Sequence, residues 1–339
     1  MDEKGYKELI KAAGDTLKKS KDLMPAVFNR YGGAKKVVCY CTSGLGNRLR
    51  PLSSCAAIAE KMDRELHVYW DTVSENGCLA EYHDLFKGEN VKLITLEEVE
   101  NLRDCIIFSE GNPVVADNDA NNHGAERESV TYGRHALKKL GETYGLKYFN
   151  DFDYAYETEN KRNIIIYHNN FLPRLDLNDS IKFLQNLEPT EFIQSIIDEQ
   201  TKKLQLDDTT IGVHARGTDF NTDHGSLGSG PYIKNIQTWI DQYPHSNFLL
   251  CTEDKLFENE IKEEFGSKIK TFDKNFIYER KDENKVDARG CPWTNNFVVS
   301  KDHAVEAVID MFLLSKTNIR IFNPASTFSQ VARVIGKQV

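Results

Sequence analysis

A glycine-rich turn near the start of the chain is the first feature with recognisable chemistry. The stretch Ser43–Arg50, with the sequence SGLGNRLR, directly follows a short apolar run and opens a helix-period segment. Glycines at a strand-to-helix junction let the backbone approach a ligand closely, and the exposed N–H groups of a helix start favour an anion. We therefore expect Gly44, Gly46, Asn47 and Arg48 to contact an anionic ligand. Tight packing of the turn is the alternative, because such a junction alone is a weak signal.

This turn matches neither of two well-known phosphate-binding fingerprints. It lacks the Gly-Lys-Ser/Thr ending that would hold a magnesium nucleotide, and Leu49 stands at the third glycine position of the dinucleotide fingerprint. The turn is therefore neither a Walker A loop nor a dinucleotide-binding loop.

A second polar group emerges from a strongly apolar run in the second half of the chain. The residues VHARGTD at 213–219 place His214 and Arg216 two positions apart, so they share one side of a strand. Ligands of open parallel sheets bind outside the carboxyl ends of the strands, and the forked donor of Arg216 suits a diphosphate. The alternative is a surface Arg216 paired with Asp219, beside a histidine whose hydrogen bonds are already satisfied.

Two more groups of polar residues lie near the C-terminus. Asp310 interrupts the apolar run AVIDMFLL, on a helix predicted to bear one apolar stripe. A carboxylate there is costly to bury, so either a nearby Lys or Arg neutralises it or it accepts hydrogen bonds from a ligand. Ser326, Thr327 and Ser329 open the last helix, where they are N-caps first and phosphate donors second.

Short apolar runs alternate with helix-period segments along the chain, which predicts the α/β class with parallel sheets. The predicted strands are 37–42, 66–70, 92–95, 105–108, 163–168, 210–215, 247–251, 268–272 and 319–322. The predicted helices are 47–62, 189–206, 232–242, 254–264, 301–315 and 326–336. Two stretches without a clear pattern, 110–134 and 273–300, are either binding loops or surface insertions.

The length and composition fit a globular protein with two domains. A chain of 339 residues suits two domains, and a boundary between about 172 and 190 divides it into 1–180 and 181–339. The net charge of −9 is spread through interspersed acidic and basic residues, which argues against a nucleic-acid-binding surface.

The sequence shows neither the pattern of a targeting signal nor the cysteine spacing of a zinc site. The first twenty residues lack a signal-peptide pattern, and no stretch approaches the ~20 apolar residues that cross a bilayer, so a cytoplasmic protein without a membrane span is expected. The seven cysteines are an odd number and several lie in apolar runs, which favours buried thiols. No zinc spacing is completed, so no metal is expected.

Five motifs together resemble one family of enzymes. They are GLGNR, VHARGTD, CTED at 251–254, AVIDMFLLSK at 307–316 and STFSQVARV at 326–334. Together they resemble the GDP-fucose-dependent fucosyltransferases of the α1,6 type, including the bacterial nodulation enzymes, and more distantly the protein O-fucosyltransferases. The last four motifs agree with that family in order and spacing, whereas the likeness of the first 200 residues is limited to the glycine-rich turn. The resemblance implies a GT-B-like fold of two Rossmann-like lobes with a cleft between them. The lobe 1–180 would then face the acceptor, and the lobe 181–339 would bind the nucleotide sugar.

The same resemblance implies an inverting transfer of fucose from GDP-fucose to a glycan, without a metal or other cofactor. The match to that family implies that Arg216 binds the β-phosphate and stabilises the departing nucleotide. His214 and Asp310 would read the base, and a carboxylate can accept both the N1–H and the exocyclic amine of guanine, which favours GDP over UDP. The turn that contains Ser326, Thr327 and Ser329 would hold the phosphates.

Other matches are looser. Asn47 and Arg48 correspond to a loop on the sugar and phosphate side of the donor in the O-fucosyl enzymes, and Glu253 and Asp254 to paired acidic residues near the nucleotide. Asp219 belongs to the same block as Arg216 and is included among the substrate-binding residues.

The chain also departs from the family pattern. Gly217 and Phe220 replace a second arginine and a lysine, which affects the acceptor side. Asp223 and His224 are both candidates for the general base that removes the acceptor proton. Two other functions therefore stay open: transfer from another GDP- or UDP-sugar, and nucleotide or glycan binding without catalysis. The motifs do not indicate the acceptor or the linkage.

Overall fold

The computed structural model of the chain describes the residues that carry both β-sheets and the helices around them. The described ranges are 35–72, 78–88, 91–102, 105–109, 148–149, 163–167, 177–216, 228–274, 300–323 and 326–336, with the backbone alone described for 105–109, 148–149 and 177. Within these ranges the chain forms two sheets of parallel strands separated by helices, which confirms the predicted α/β class.

The first sheet is built from the N-terminal half of the chain. Its strands are β1 (Lys36–Cys41), β2 (Glu65–Trp70), β3 (Lys92–Leu93), β4 (Cys105–Ser109), β5 (Tyr148–Phe149) and β6 (Asn163–Tyr167). They lie in the order β3-β2-β1-β6-β4-β5, and all neighbours are parallel. Every residue from Val37 to Cys41 is buried. A central strand of a parallel sheet is covered on both faces, which explains why β1 is an uninterrupted apolar run.

The second sheet is built from the C-terminal half. Its strands are β7 (Ile211–His214), β8 (Phe248–Cys251), β9 (Ile269–Lys270) and β10 (Asn318–Phe322), in the parallel order β10-β7-β8-β9. From β7 the chain proceeds outward through β8 to β9 and then returns to the other side of β7. The strand order therefore reverses between β7 and β10, and the carboxyl ends of such a pair border a crevice.

Helices connect the strands and cover the sheets. They are α1 (Leu45–Lys61), α2 (Tyr82–Leu85), α3 (Leu96–Glu100), α4 (Leu177–Gln185), α5 (Glu191–Lys203), α6 (Gly230–Gln242), α7 (Lys255–Phe265), α8 (Lys301–Ser315) and α9 (Thr327–Ala332), with a short 3-10 helix at Gly266–Lys268. Polar side chains fix several helix starts: Thr95 accepts from Glu98 N–H and Thr190 accepts from Ile193 N–H. These are the N-cap contacts that such residues favour.

Helix α8 differs from the single apolar stripe expected for it. All residues from Val308 to Ser315 are buried, including Asp310. The reason is that α8 packs against α5, α9, β7, β8 and β10, so that neighbours lie on several sides. A helix in such surroundings is apolar nearly all round.

The two sheets share a core. Helix α1, which follows β1, packs against both α4 and the C-terminal helix α9, and one buried cluster contains Val37 of β1 together with Leu249 of β8. Residues Lys36–Val339 form one compact unit. The division into lobes at 1–180 and 181–339 stays a prediction.

The predicted element boundaries agree closely with the structure, and helix α8 matches at both ends. The last helix is shorter than the predicted 326–336, because the chain turns after α9 and the N–H of Gly336, at a φ of 61°, donates to the carbonyl of Leu184. Helices α2, α3 and α4 were not predicted. The stretch 110–134 and nearly all of 273–300 lie outside the described residues.

The cysteines agree with the expectation of buried thiols where they are described. Cys39, Cys41, Cys55, Cys78 and Cys251 carry free thiols and are buried. Cys39 and Cys41 point to the same side of β1, with their sulfur atoms 3.4 Å apart. Burial raises the pKa of both thiols, which keeps them protonated.

Candidate functional site

The candidate site lies at the carboxyl ends of β7 and β8 and beside the first turn of α9. His214 is the last residue of β7, and its side chain is almost completely buried. Its Nδ1 lies 2.6 Å from Oγ of Ser329, and its ring stacks on Phe328 with centroids 4.6 Å apart. The histidine is therefore held from two sides by α9, as the alternative of a satisfied histidine anticipated.

The electrostatic surroundings of His214 keep its imidazole neutral. Burial is the main cause, and the positive charges of Arg216 and Lys274 act in the same direction, so that the pKa of His214 falls to about 3. A neutral imidazole has one donor and one acceptor nitrogen, and can take part in polar recognition without carrying charge.

Arg216 follows the end of β7 and remains partly open to solvent. Its backbone N–H donates to the hydroxyl of Tyr232 on α6 at 3.3 Å. Its Nε lies 4.0 Å from Oε1 of Glu253, and the two side chains are 27% and 25% exposed. The backbone of Arg216 is thus anchored, and its side chain stays partly exposed at the carboxyl end of β7.

The two acidic residues after β8 have different surroundings. Glu253 faces Arg216, whereas Asp254 is the N-cap of α7 and its Oδ1 accepts from the N–H groups of Leu256 and Phe257. An acidic residue directly before a helix is a common N-cap, so this structural task was recognisable from the sequence. A contact of Asp254 with substrate stays a prediction.

Asp310 forms a buried ion pair that involves a residue not singled out in the sequence. Nζ of Lys274, four residues after β9, donates to Oδ2 of Asp310. The two side chains are only 7% and 9% exposed. Burial is the largest single influence and disfavours charge on Lys274, but the attraction of Asp310, the hydrogen bond to it and the charge of Glu253 act together in the opposite direction, so that the pKa of Lys274 is raised. A nearby lysine neutralises the carboxylate, one of the two alternatives that the sequence left open, although the sequence does not show which lysine.

The glycine turn after β1 packs closely against the start of α9. Ser43 has a φ of 67°, and Gly44 is the N-cap of α1. A Cβ on Gly46 would lie 2.6 Å from the backbone carbon of Thr327 and 2.7 Å from Phe328 N. Only glycine fits there without displacing backbone. Tight packing therefore accounts for Gly46, while a side chain at Gly44 would meet open space.

Arg48 has a structural task in this turn. Its side chain is fully buried, and it donates to the carbonyl oxygens of Ser43 at 2.7 Å, Cys41 at 3.3 Å and Asp71 at 2.6 Å. Its guanidinium also lies over the ring of Trp70, 4.9 Å from the centroid. These contacts fix the turn relative to β1 and β2. A direct contact of Arg48 with substrate stays a prediction.

Asn47 and the residues that open α9 complete the contact between the two regions. Arg50 donates to Oε1 of Gln330 at 2.7 Å and to Oδ1 of Asn47 at 3.5 Å, which links α1 to α9. Ser326 is the N-cap of α9 and accepts from the N–H of Ser329. The predicted N-cap is confirmed, and a contact of these hydroxyl groups with phosphate stays a prediction.

Solved structures supply the comparison that decides the fold. The fucosyltransferase NodZ from Bradyrhizobium matches with a TM-score of 0.54 and 18% identity, over 90% of this chain and 93% of NodZ. The chain has the fold of NodZ. The likeness to fucosyltransferases that the motifs indicated is thereby confirmed at the level of the fold.

Two further structures of NodZ agree with this result. NodZ, described as an α-1,6-fucosyltransferase, matches with a TM-score of 0.54 when it is co-crystallised with GDP, over 90% of this chain and 93% of NodZ. NodZ soaked with GDP-fucose matches with a TM-score of 0.53, over 89% of this chain and 93% of NodZ. The identity is 18% in both cases. POFUT1 in complex with GDP-fucose has a TM-score of 0.49 and 11% identity, over 88% of this chain and 93% of POFUT1. No protein-family profile matches the sequence. No curated protein matches it by sequence either.

Within the NodZ fold, the described residues bring several predicted site residues together and leave others out. His214, Arg216 and Glu253 lie at the carboxyl ends of β7 and β8. Ser329 contacts His214, and Lys274, which is paired with Asp310, is within electrostatic reach of that histidine. Three other predicted residues, Asp219, Asp223 and His224, lie outside the described residues.

The described residues lack two features, a cluster of metal-binding side chains and a helix that could cross a membrane. They contain no group of three or more His, Cys, Asp or Glu residues placed to hold a metal ion. In the same part of the chain, every helix is too short or too polar to cross a membrane.

Proposed function

We propose that this chain is a metal-independent glycosyltransferase of the GT-B type that transfers fucose from GDP-fucose to a glycan with inversion at the anomeric carbon. The main support is that His214 and Arg216 stand at the carboxyl end of β7, where the strand order of the second sheet reverses and a crevice is expected, with Lys274 within electrostatic reach of His214. Crevices of this kind bind nucleotides in open α/β sheets. The NodZ fold, whose solved structures include GDP and GDP-fucose, supports the same assignment.

In this proposal the C-terminal sheet binds the nucleotide. Arg216 meets the diphosphate with its forked donor, since its backbone is anchored while its side chain is partly exposed at the carboxyl end of β7. Asp310 accepts N–H groups of guanine, and neutral His214 contributes a further polar contact. The hydroxyl groups of Ser326, Thr327 and Ser329 lie near the phosphates.

The reaction is a single displacement. The acceptor hydroxyl attacks C1 of the sugar, the bond between C1 and the phosphate oxygen breaks, and the proton of the hydroxyl passes to Asp223 or His224. Negative charge grows on the diphosphate as GDP leaves. A preorganised Arg216 therefore stabilises the transition state more than the bound donor.

Binding and transfer can be tested separately on the full chain. A ligand that binds the native state raises the free energy of unfolding, by about 2.7 kcal/mol at a hundred times its dissociation constant. We expect GDP to raise the midpoint of thermal unfolding and UDP to raise it less. Incubation with GDP-fucose and a panel of glycans, followed by mass spectrometry, should then reveal a fucosylated product.

The results distinguish the proposal from its alternatives. Equal or greater protection by UDP would reject the preference for guanine. Protection by GDP with neither transfer nor slow hydrolysis of GDP-fucose would indicate a binding protein and not an enzyme.

A further inference from the structure

The buried pair of Lys274 and Asp310 has a feature that neutralisation alone does not explain. Lys274 engages Oδ2 of Asp310 and the thiol of Cys251, a weak donor, also bonds this carboxyl group, whereas Oδ1 is buried and has no N–H or O–H donor among the described residues. A buried polar atom without a partner costs free energy, and native structures contain few of them. An N–H group of a ligand would satisfy this oxygen.

The location of the pair places this acceptor beside the nucleotide site. Asp310 lies on α8, which packs under β7 and β8, and the thiol of Cys251 at the end of β8 contacts the carbonyl of Asp310 at 3.8 Å. Lys274 approaches from the chain after β9, and its charge lowers the pKa of His214. The pair therefore lies near the carboxyl ends of β7 and β8, where His214 is also located.

Lys274 also influences whether Asp310 is ionised. Burial raises the pKa of Asp310, and the ammonium of Lys274 acts in the opposite direction. An ionised carboxylate accepts hydrogen bonds only, whereas a protonated carboxyl both donates and accepts. Without the ammonium, burial would favour the protonated form.

These two forms suit different bases. The recognition edge of guanine presents two donors, the N1–H and the exocyclic amine, and an acceptor-only carboxylate is complementary to them. The corresponding edge of adenine presents one acceptor, N1, and one donor amine, which a neutral carboxyl or amide matches. The charge on Asp310 therefore selects between the two purines.

We propose that Lys274 is a positioning residue that sets the base specificity of the nucleotide site: by donating to Oδ2 it keeps Asp310 an acceptor-only group, so that Oδ1 and the second lone pair of Oδ2 accept the two N–H donors of guanine. The inference rests on the proposed function, since it needs a nucleotide bound at this edge. It adds a residue to that function and a reason for its preference for guanine.

The test measures dissociation constants for GDP and ADP with the full chain and four variants. Lys274→Gln removes the charge but keeps a donor for Oδ2, and Lys274→Arg keeps the charge. Asp310→Asn presents a neutral amide in place of the carboxylate, and the double variant Lys274→Gln with Asp310→Asn measures coupling. The matched control is Lys270→Gln, since Lys270 on β9 donates to the backbone carbonyl of Gln205.

We expect the wild type, Lys274→Arg and Lys270→Gln to bind GDP more tightly than ADP. A site built for two donors rejects a base that lacks them, which explains the preference of the wild type. Lys274→Gln and Asp310→Asn each remove the acceptor-only carboxylate, so each should reduce that preference by roughly tenfold or more. The double variant should lose no more than Asp310→Asn alone, since Lys274 acts through Asp310. If Lys274 had a purely structural role, its substitution would weaken the binding of both nucleotides equally.

The outcomes separate this inference from the proposed function. An unchanged preference in Lys274→Gln, or additive losses in the double variant, would overturn the role of Lys274 while GDP binding by the wild type still supports the function. A wild type that binds neither nucleotide would overturn both.

Discussion

Nδ1 of His214 and Oγ of Ser329 lie 2.6 Å apart although 115 positions separate the two residues in the sequence. The contact joins the end of β7 to the first turn of α9, and the adjacent Phe328 stacks on the same imidazole. Since Gly46 packs against Thr327 and Phe328 as well, α9 contacts both the second sheet and the turn after β1. The geometry of the candidate site therefore depends on α9.

Removal of the Ser329 hydroxyl should destabilise the protein. The variant Ser329→Ala leaves a buried nitrogen of His214 without its partner, which costs about 1–3 kcal/mol. Urea unfolding measures the loss, and the control is Ser195→Ala, where an exposed hydroxyl bonds the carbonyl of Phe192 within its own helix. Equal stability of the two variants would contradict the importance of the His214 contact.

Acid should destabilise the wild type partly through His214. The pKa of this residue is about 3 in the folded protein against an ordinary value of 6.5. Between these values the unfolded chain binds the additional proton, so the free energy of unfolding decreases as the pH falls through this range. From about pH 7 to about pH 5, His214 accounts for a loss of about 2 kcal/mol.

The variant His214→Gln removes this titration, and its own loss of stability over the same pH interval should be smaller by that amount. Urea unfolding of both proteins at the two pH values provides the comparison. Because each protein is compared with itself, a general destabilisation by the substitution cancels. The same acid dependence in both proteins would refute the buried neutral histidine.

The sequence predicted the elements better than the contacts between them. Helix α8 and strands such as β1 have long apolar runs or clear periodicity, and these local patterns determine their type. The N-cap at Ser326 and the packed Gly46 also follow from local rules of helix starts and close approach. Helix α2 has only four residues, too few to show a period.

Tertiary contacts of the site had no local signal. Arg48 resembles a ligand-binding residue in sequence, but the fold brings the carbonyls of Cys41 and Asp71 to its guanidinium. Asp310 required a cation, yet no spacing rule points to Lys274, which lies 36 positions away and follows a two-residue strand. Such pairings are fixed only when α8 packs beneath the sheet.

Arg216→Ala should reduce kcat by about a hundredfold or more with GDP-fucose as donor. The lost guanidinium acts on charge that develops on the diphosphate, so the KM for the donor should change less than kcat. The fold should persist, because the backbone N–H of Arg216 keeps its bond to Tyr232.

Steady-state kinetics measures this effect against Arg320→Ala, which removes an exposed arginine from β10. Arg216→Lys keeps the charge without the fork and should recover only part of the rate. Near wild-type turnover of Arg216→Ala would remove this residue from the mechanism.

Arg48→Met should destabilise the protein by at least about 3 kcal/mol, because two buried carbonyl oxygens and a partly buried one lose a charged donor. Arg320→Met serves as the control with an exposed side chain, and urea unfolding compares the two. A residue that only contacts substrate would show the opposite pattern, with stability retained and affinity for GDP lost.

Gly46→Ala and Gly44→Ala form a pair that tests the contact between the glycine turn and α9. Alanine within α1 gains about 1 kcal/mol of helix propensity, but the new Cβ at position 46 would lie 2.6 Å from the backbone of Thr327, which cannot rotate away. We expect a net loss of about 1–2 kcal/mol in urea unfolding and weaker binding of GDP.

At Gly44 no atom lies within 4 Å of the new Cβ, and the backbone has an ordinary φ of −68°, so Gly44→Ala should cost about 1 kcal/mol or less and leave GDP binding intact. If Gly46→Ala were as stable as the wild type, the turn would not be closely packed against α9, and the glycine at position 46 would need another explanation.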